Sequence, residues 1–170
     1  MVHFGRVWLP FARVTIPNWR RRRGSHRSDA RVRTMSSAVS VQLSVSRGRE
    51  AVEFYVSAFG AVEIYRVGGT DEHQQVVSQL AIGKTSFWVS DESPANRHFS
   101  PETLGGSTVR LLLIVDDPVA CLARAVSLGA SEVSPVTDQH GWLLGQAEDP
   151  FGHHWEIGKP PVPWPPSHSG

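Results

Sequence analysis

His154 and Glu156 stand two residues apart in the stretch 148–157, EDPFGHHWEI. An imidazole nitrogen and a carboxylate oxygen are both ligands for a divalent ion, and the same two groups can equally fix the polar end of an organic molecule through hydrogen bonds. Asp149, Pro150 and Gly152 spell a turn, because proline presets one turn angle and glycine accepts the positive φ that follows. A strand then runs from His153 to Ile157, on which His154 and Glu156 share one face while Trp155 and Ile157 share the other. Polar on one side and apolar on the other, it suits the wall of a pocket. A solvated outer face with an ordinary surface glutamate fits the same ten residues equally well.

The elements that must position this strand belong to a chain of 170 residues with 40% apolar content, enough for one domain with a sizeable core. Residues 1–34 carry nine Arg and one Asp, which leaves eight basic against fifteen acidic residues and a net charge of −7 in the rest. Three readings of this basic arm stay open: a nucleic-acid arm, an Arg-rich targeting segment, or residues upstream of a functional start at Met35. The single Cys121 excludes an intramolecular disulfide and offers no metal-ligand spacing, which fits a reducing, cytoplasmic compartment. No apolar run approaches the roughly 18 residues of a membrane span.

From Ser40 to Val45 polar and apolar residues alternate, placing Val41, Leu43 and Val45 on one face of a strand. Ala51, Val52, Tyr55, Ala58 and Phe59 recur at helical spacing and stop at Gly60, a C-terminal cap. Strands are expected over 61–67, 75–82 and 85–90, with a turn over 68–73 and the Gly83-Lys84 hairpin between the last two strands. Residues 91–106 read as a linker or a loop over a site. The order then repeats: a strand over 108–115, a helix opened by Asp117 and Pro118 and closed by Gly129, and strands over 131–136, 142–148 and 153–157. Cys121 sits on that second helix as a small buried hydrophobe. The tail KPPVPWPPSHSG is too rich in proline for either regular element.

Setting residue n over n + 69 aligns FGAVEIYRV with LGASEVSPV and Gly83 with Gly152; matching Val45 with Val115 then puts Ser40 over Arg110. Two tandem βαβββ modules follow, each too small to bury its own sheet. These modules, the helix ends FYVSAFGA and AVSLGA, the strand ending IVDD and the terminal EDPFGHHWEI resemble the vicinal oxygen chelate superfamily of glyoxalases, bleomycin-resistance proteins and extradiol dioxygenases. The wording of AFGA and DPFGH looks most like the glyoxalase-like branch labelled demethylubiquinone methyltransferase-like. The resemblance implies an α+β fold over residues 39–158, between a basic extension (1–38) and a Pro-rich tail (159–170), with two curled mixed sheets around a shared pocket. It also implies helices outside the sheets, packed through Val41, Leu43, Trp88, Leu111, Leu113, Trp155 and Ile157.

Metal-dependent members of the superfamily take ligands from the first and last strands of each module. Those positions fall here on Ser40 (Val41 if the one-residue gap is placed elsewhere), Phe87, Arg110 and Glu156, of which only Glu156 is a ligand; Phe cannot bind an ion and an Arg cation repels one. His154 supplies one unusual ligand, and the placement of His98 and His140 is not derivable from the sequence. The expected pocket lining is Ser40, Gln42, Ser44, Thr85, Phe87, Val89, Arg110, Leu112, Ile114, His154 and Glu156, a mixed surface suited to a small organic ligand. Arg110 offers a planar fork to a carboxylate or phosphate, or else pairs with Glu156 as a buried cross-link between the modules. The leading expectation is a small-molecule-binding or sequestering protein without a metal cofactor, paired as a homodimer as superfamily members are. The alternative is a metal-dependent lyase, isomerase or dioxygenase holding Zn, Ni, Mn or Fe on His154 and Glu156. Nucleic-acid binding through the arm is the weakest reading, and no membrane partner is expected. Because residues 1–34 offer no periodic apolar face, a chain begun at Met35 is expected to melt within about 4 °C of the full chain, roughly 1 kcal/mol for a domain of this size.

Overall fold

Alternation along Gln42–Val45 and helical spacing along Gly48–Phe59 do produce a strand and a helix, β1 and α1. A computed structural model describes residues 39–70 and 74–163; the basic extension, the end of the 68–73 turn and residues 164–170 lie outside the described residues. After α1 come β2 (Val62–Gly68), β3 (Val76–Ile82) and β4 (Thr85–Asp91), then a short helix α2 (Pro101–Leu104). The second module follows as β5 (Arg110–Ile114), α3 (Pro118–Ser127), β6 (Ser131–Gln139), β7 (Trp142–Glu148) and β8 (His154–Lys159). Gly60 caps α1 in the left-handed region at φ 67°, and the Asp117 side chain accepts the Ala120 N–H at 2.9 Å to open α3.

Each module forms one four-stranded mixed sheet, in the orders β1-β4-β3-β2 and β5-β8-β7-β6. In each sheet the first strand lies at an edge and pairs in parallel, β1 with β4 and β5 with β8, and the remaining pairs are antiparallel. This is the expected α+β architecture of two βαβββ modules, with the two sheets left separate rather than closed into one. Among the described residues no helix is long and apolar enough to cross a membrane.

The helix-covered faces of the two sheets share a single core. Helix α1 supplies Ala51, Val52, Phe54, Tyr55, Ala58 and Phe59; α3 supplies Cys121, Leu122 and Ala125. Tyr55 packs against Phe87 of its own module at 5.7 Å between ring centroids and against Trp155 of the other at 5.5 Å, while Phe59 lies 4.6 Å from Trp155. The Arg124 Nε of α3 donates to the Ala58 carbonyl at 2.7 Å, tying the helix ends together.

Strand β4 corrects the expected facing of its side chains. The parallel register sets Leu43 beside Val89 and Gln42 beside Trp88, so Phe87 and Val89, with Thr85 on the same parity, turn to the core side. Phe87 is buried in the aromatic cluster, and Trp88, expected under the helix, lies on the open face. The linker is more ordered than expected. Ser100, fully buried, accepts from the Thr103 N–H to cap α2, and Glu92 accepts from the Ser100 N–H at 2.7 Å and from the Thr103 hydroxyl. The Ser100 and Thr103 donors hold the Glu92 carboxyl below the usual glutamate range. Pro101 packs so close to Gly152 (φ +84°) that a Cβ there would sit 2.9 Å from the proline ring; the positive φ expected of that turn is present.

Asp149 joins the modules. Its buried carboxylate accepts from the Tyr55 hydroxyl at 2.6 Å, the Trp155 indole N–H at 2.9 Å, and the backbone N–H groups of Phe151 and His153 at 2.9 Å each. Burial, then the neighbouring Asp149 charge, pushes the Tyr55 hydroxyl well above the usual phenol range. Tyr55→Phe deletes one charge-assisted donor and is expected to cost about 1.5–3 kcal/mol, read as a lower denaturant midpoint at unchanged slope. Unfolded Tyr loses its proton near pH 10 while native Tyr55 keeps its own, so wild-type stability should fall as pH rises past about 10, and this variant should lack that part of the fall.

Candidate functional site

The turn 149–153 ends where β8 begins, and the Asp149 network sets the parity of that strand by drawing Trp155 inward. His154 and Glu156 are thereby turned to the open face of the second sheet. The register places Arg110 beside His154 and Leu112 beside Glu156, so Arg110, Leu112, His154 and Glu156 gather on one surface as expected. Arg110 Nη1 donates to Glu156 Oε1 at 2.8 Å. The Gln146 amide approaches the same oxygen at 3.5 Å, and His154 Nε2 lies 3.6 Å from a Glu148 carboxylate oxygen.

This ion pair is neither buried nor a link between modules. Both residues belong to the second sheet, and the Arg110 side chain is 71% exposed against 26% for Glu156. An exposed pair of this kind is worth about 0–1 kcal/mol, which removes the expected role as a buried cross-link; the Asp149 network occupies that role instead.

Ser40 and Gln42 lie on the open face of the first sheet. The Ser40 hydroxyl donates to the Ser86 carbonyl at 3.2 Å and the Gln42 amide to the Ser90 hydroxyl at 3.0 Å. Phe87 is absent from this surface and Trp88 takes its place. Gln42 pairs with Trp88 as Leu112 pairs with Glu156, so Trp88, not Phe87, is the counterpart of Glu156. The alignment at n + 69 slipped because Gly83 and Lys84 alone join Ile82 to Thr85, whereas the longer turn 149–153 joins Glu148 to His154. The pattern Ser86-x-Trp88-x-Ser90 carried the missed signal: alternation places Trp88 with two polar neighbours.

The expected lining is divided between the open faces of two separate sheets, Ser40 and Gln42 on the first and Arg110, Leu112, His154 and Glu156 on the second. Two grooves lie apart from the Arg110–Glu156 pair. One of about 210 Å³ is lined by Val119, Leu122, Ala123, Glu132, Pro135 and Val136. The other, of about 500 Å³, runs beside Ile114, Val115, Asp116 and residues 159–163.

The donor set does not fit a resident divalent ion. The four positions that carry ligands in metal-dependent relatives hold Ser40, Trp88, Arg110 and Glu156, and the guanidinium already occupies a Glu156 oxygen. His98 lies in the linker, bridged to Ser93, and His140 in the β6–β7 turn at φ 56°. Among the described residues no three His, Cys, Asp or Glu side chains converge as an ion would require.

The profile of the glyoxalase-like domain matches residues 39–158. The chain belongs to that family. An uncharacterised protein of Mycobacterium bovis is 38% identical over 127 residues, covering 72% of this chain and 83% of the relative. An Arabidopsis thaliana gene product of known crystal structure superposes with a TM-score of 0.58 at 31% identity, covering 74% of this chain and all of its own. Within the vicinal oxygen chelate superfamily, the fold is shared with the fosfomycin resistance protein FosX of Listeria monocytogenes, solved with Mn(II) and sulfate. There the TM-score is 0.55 at 14% identity, over 74% of this chain and 93% of FosX. TioX of a Micromonospora species is similar in fold at 22% identity and TM-score 0.57, over 73% of this chain and 98% of TioX.

Because the Arg110–Glu156 pair is exposed, Glu156→Gln in this glyoxalase-like domain is expected to lower stability by less than about 1 kcal/mol. Chemical denaturation checks this; a loss of several kcal/mol would show that the guanidinium depends on its partner for solvation.

Proposed function

We propose that the protein binds a small organic molecule without a metal cofactor, as a binding or sequestering protein of the glyoxalase/bleomycin-resistance kind. The observation that carries the reading is the replacement of three of the four ligand positions by Ser40, Trp88 and Arg110, with the Arg110 guanidinium bonded to the remaining carboxylate. The guanidinium bonded to that carboxylate opposes a cation beside it and presents N–H donors to an anion. Only Nη1 of Arg110 is engaged among the described residues, so the rest of the fork is free for a carboxylate or phosphate on the ligand.

The working unit in this reading is a homodimer. Each chain exposes two half-sites, one on the open face of each sheet, with Tyr65 50%, Val77 40% and Leu112 47% exposed on them. A two-fold axis that sets the first sheet of one copy against the second sheet of its partner covers both faces twice over and encloses a ligand between unlike walls. The compartment is the cytoplasm, supported by the lone buried Cys121. The competing reading is a metal-dependent enzyme with His154 and Glu156 as its ligands. It is favoured by their shared face on β8 and by the Mn(II) found in FosX, a protein of the same fold.

Protein purified without chelator is expected to hold less than about 0.1 equivalent of Zn, Ni, Mn or Fe, and chelator should leave its melting curve unchanged, since no metal binding is linked to folding. In a thermal-shift screen anionic ligands should stabilise it, and Arg110→Met should weaken them at least about tenfold, the worth of one charge-assisted hydrogen bond. Stoichiometric metal that is lost on changing His154 or Glu156, together with metal-dependent turnover, would put the enzyme reading in its place.

A further inference from the structure

We infer that the open face of the first sheet is the wall for a flat, uncharged aromatic portion of the ligand, stacked in the corner made by Trp88 and Tyr65. The inference rests on the small-molecule reading above and gives that ligand a chemical class.

The register of β2, β3 and β4 puts Tyr65, Gln79 and Trp88 in one row across the sheet. The two rings lie 5.7 Å apart at an interplanar angle of 70°, so a planar group laid on one ring meets the other edge-on, the arrangement that aromatic quadrupoles favour. Neither is consumed by the core: Trp88 is half-buried and Tyr65 half-exposed. Among the described residues the Trp88 indole N–H and the Tyr65 hydroxyl make no hydrogen bond, so both donors remain for a ligand.

The row, which Gln42 extends beyond Trp88, holds two amides whose directions are fixed. Gln79 donates to the Ser86 hydroxyl at 3.0 Å, and Gln42 to the Ser90 hydroxyl at 3.0 Å. Each amide nitrogen is thereby held, which leaves the carbonyl oxygen to accept from the edge of a ligand. No Asp, Glu, Lys or Arg of β1 to β4 has the parity of this face; Glu63 and Arg66 of β2 pair with Leu80 and Ser78 on the core side. A charged group pressed here would lose hydration with no counter-charge to replace it. A neutral π-system loses little hydration and gains stacking on the two rings. The Arg110–Glu156 face has the opposite character, so the two walls ask for different ends of one molecule.

The test uses the full chain with naphthalene-2-carboxamide and its saturated counterpart decahydronaphthalene-2-carboxamide, both uncharged, and with 2-naphthoate as the anionic probe. Binding is read from amide and indole N–H signals, the Trp88 indole signal being assigned by its loss in Trp88→Phe. The aromatic amide should shift the Trp88 indole signal saturably and bind at least about tenfold tighter than the saturated amide; Trp88→Ala should weaken it about tenfold or more, and Trp88→Phe much less. Arg110→Met should weaken 2-naphthoate at least about tenfold and the aromatic amide much less. Equal binding of the two amides, no loss in Trp88→Ala, or shifts confined to β5 and β8 would overturn the aromatic wall and leave small-molecule binding standing. Failure of all three probes, with no stabilising compound in the thermal-shift screen, would overturn both.

Discussion

One carboxylate holds the two modules together. Asp149 is 4% exposed, and an ionised group so far from water survives only when its oxygens are satisfied by well-placed donors. Four converge on it. The backbone N–H groups of Phe151 and His153 close the turn locally, and the indole of Trp155 locks the strand that follows. The hydroxyl of Tyr55, 94 residues earlier, reaches it from the first module's helix. A second bond runs the same way, from the buried His153 ring to the Ser44 carbonyl at 3.1 Å. The aromatic rings packed around this network exclude the water that would otherwise compete for the carboxylate.

The location of this junction decides where function can reside. Because the modules meet through their helix-covered faces, the other face of each sheet stays uncovered in the single chain. Repeated topology gives those faces similar geometry, yet their residues differ in kind. Gln42, Gln79 and three serines surround an aromatic pair on the first sheet, whereas Arg110, Glu148, His154 and Glu156 make the second a surface of charges. Two modules built alike have become two unlike walls.

Much of this was legible from local chemistry. The cap at Gly60, the Asp117–Pro118 helix start and the turn at Gly152 each depend on residues within a few positions, and all appear where their types require. The parity of β8 was readable because His154 and Glu156 alternate cleanly with Trp155 and Ile157. Strand β4 defeated the same reasoning: Phe87, Trp88 and Val89 are three apolar residues in succession, and only its pairing with β1 assigns their sides. Asp149 was readable as a turn residue but not as a junction, since its decisive donor is distant in sequence. Alternation could likewise put Arg110 and Glu156 on one face without saying how much water reaches them.

That access to water changes what the Arg110–Glu156 pair can do. Were the pair buried, a ligand that drew the guanidinium away would leave Glu156 charged and unsolvated, at several kcal/mol. In the exposed arrangement water solvates Glu156 when Arg110 swings off, and the bond given up is worth about 0–1 kcal/mol. The pair therefore costs an incoming anion little. In the proposed reading selectivity follows from the same geometry: the N–H groups of Arg110 that Glu156 leaves free suit a bidentate carboxylate or phosphate better than a neutral acceptor. The feature that weakens the pair as a structural element is the one that suits it to binding.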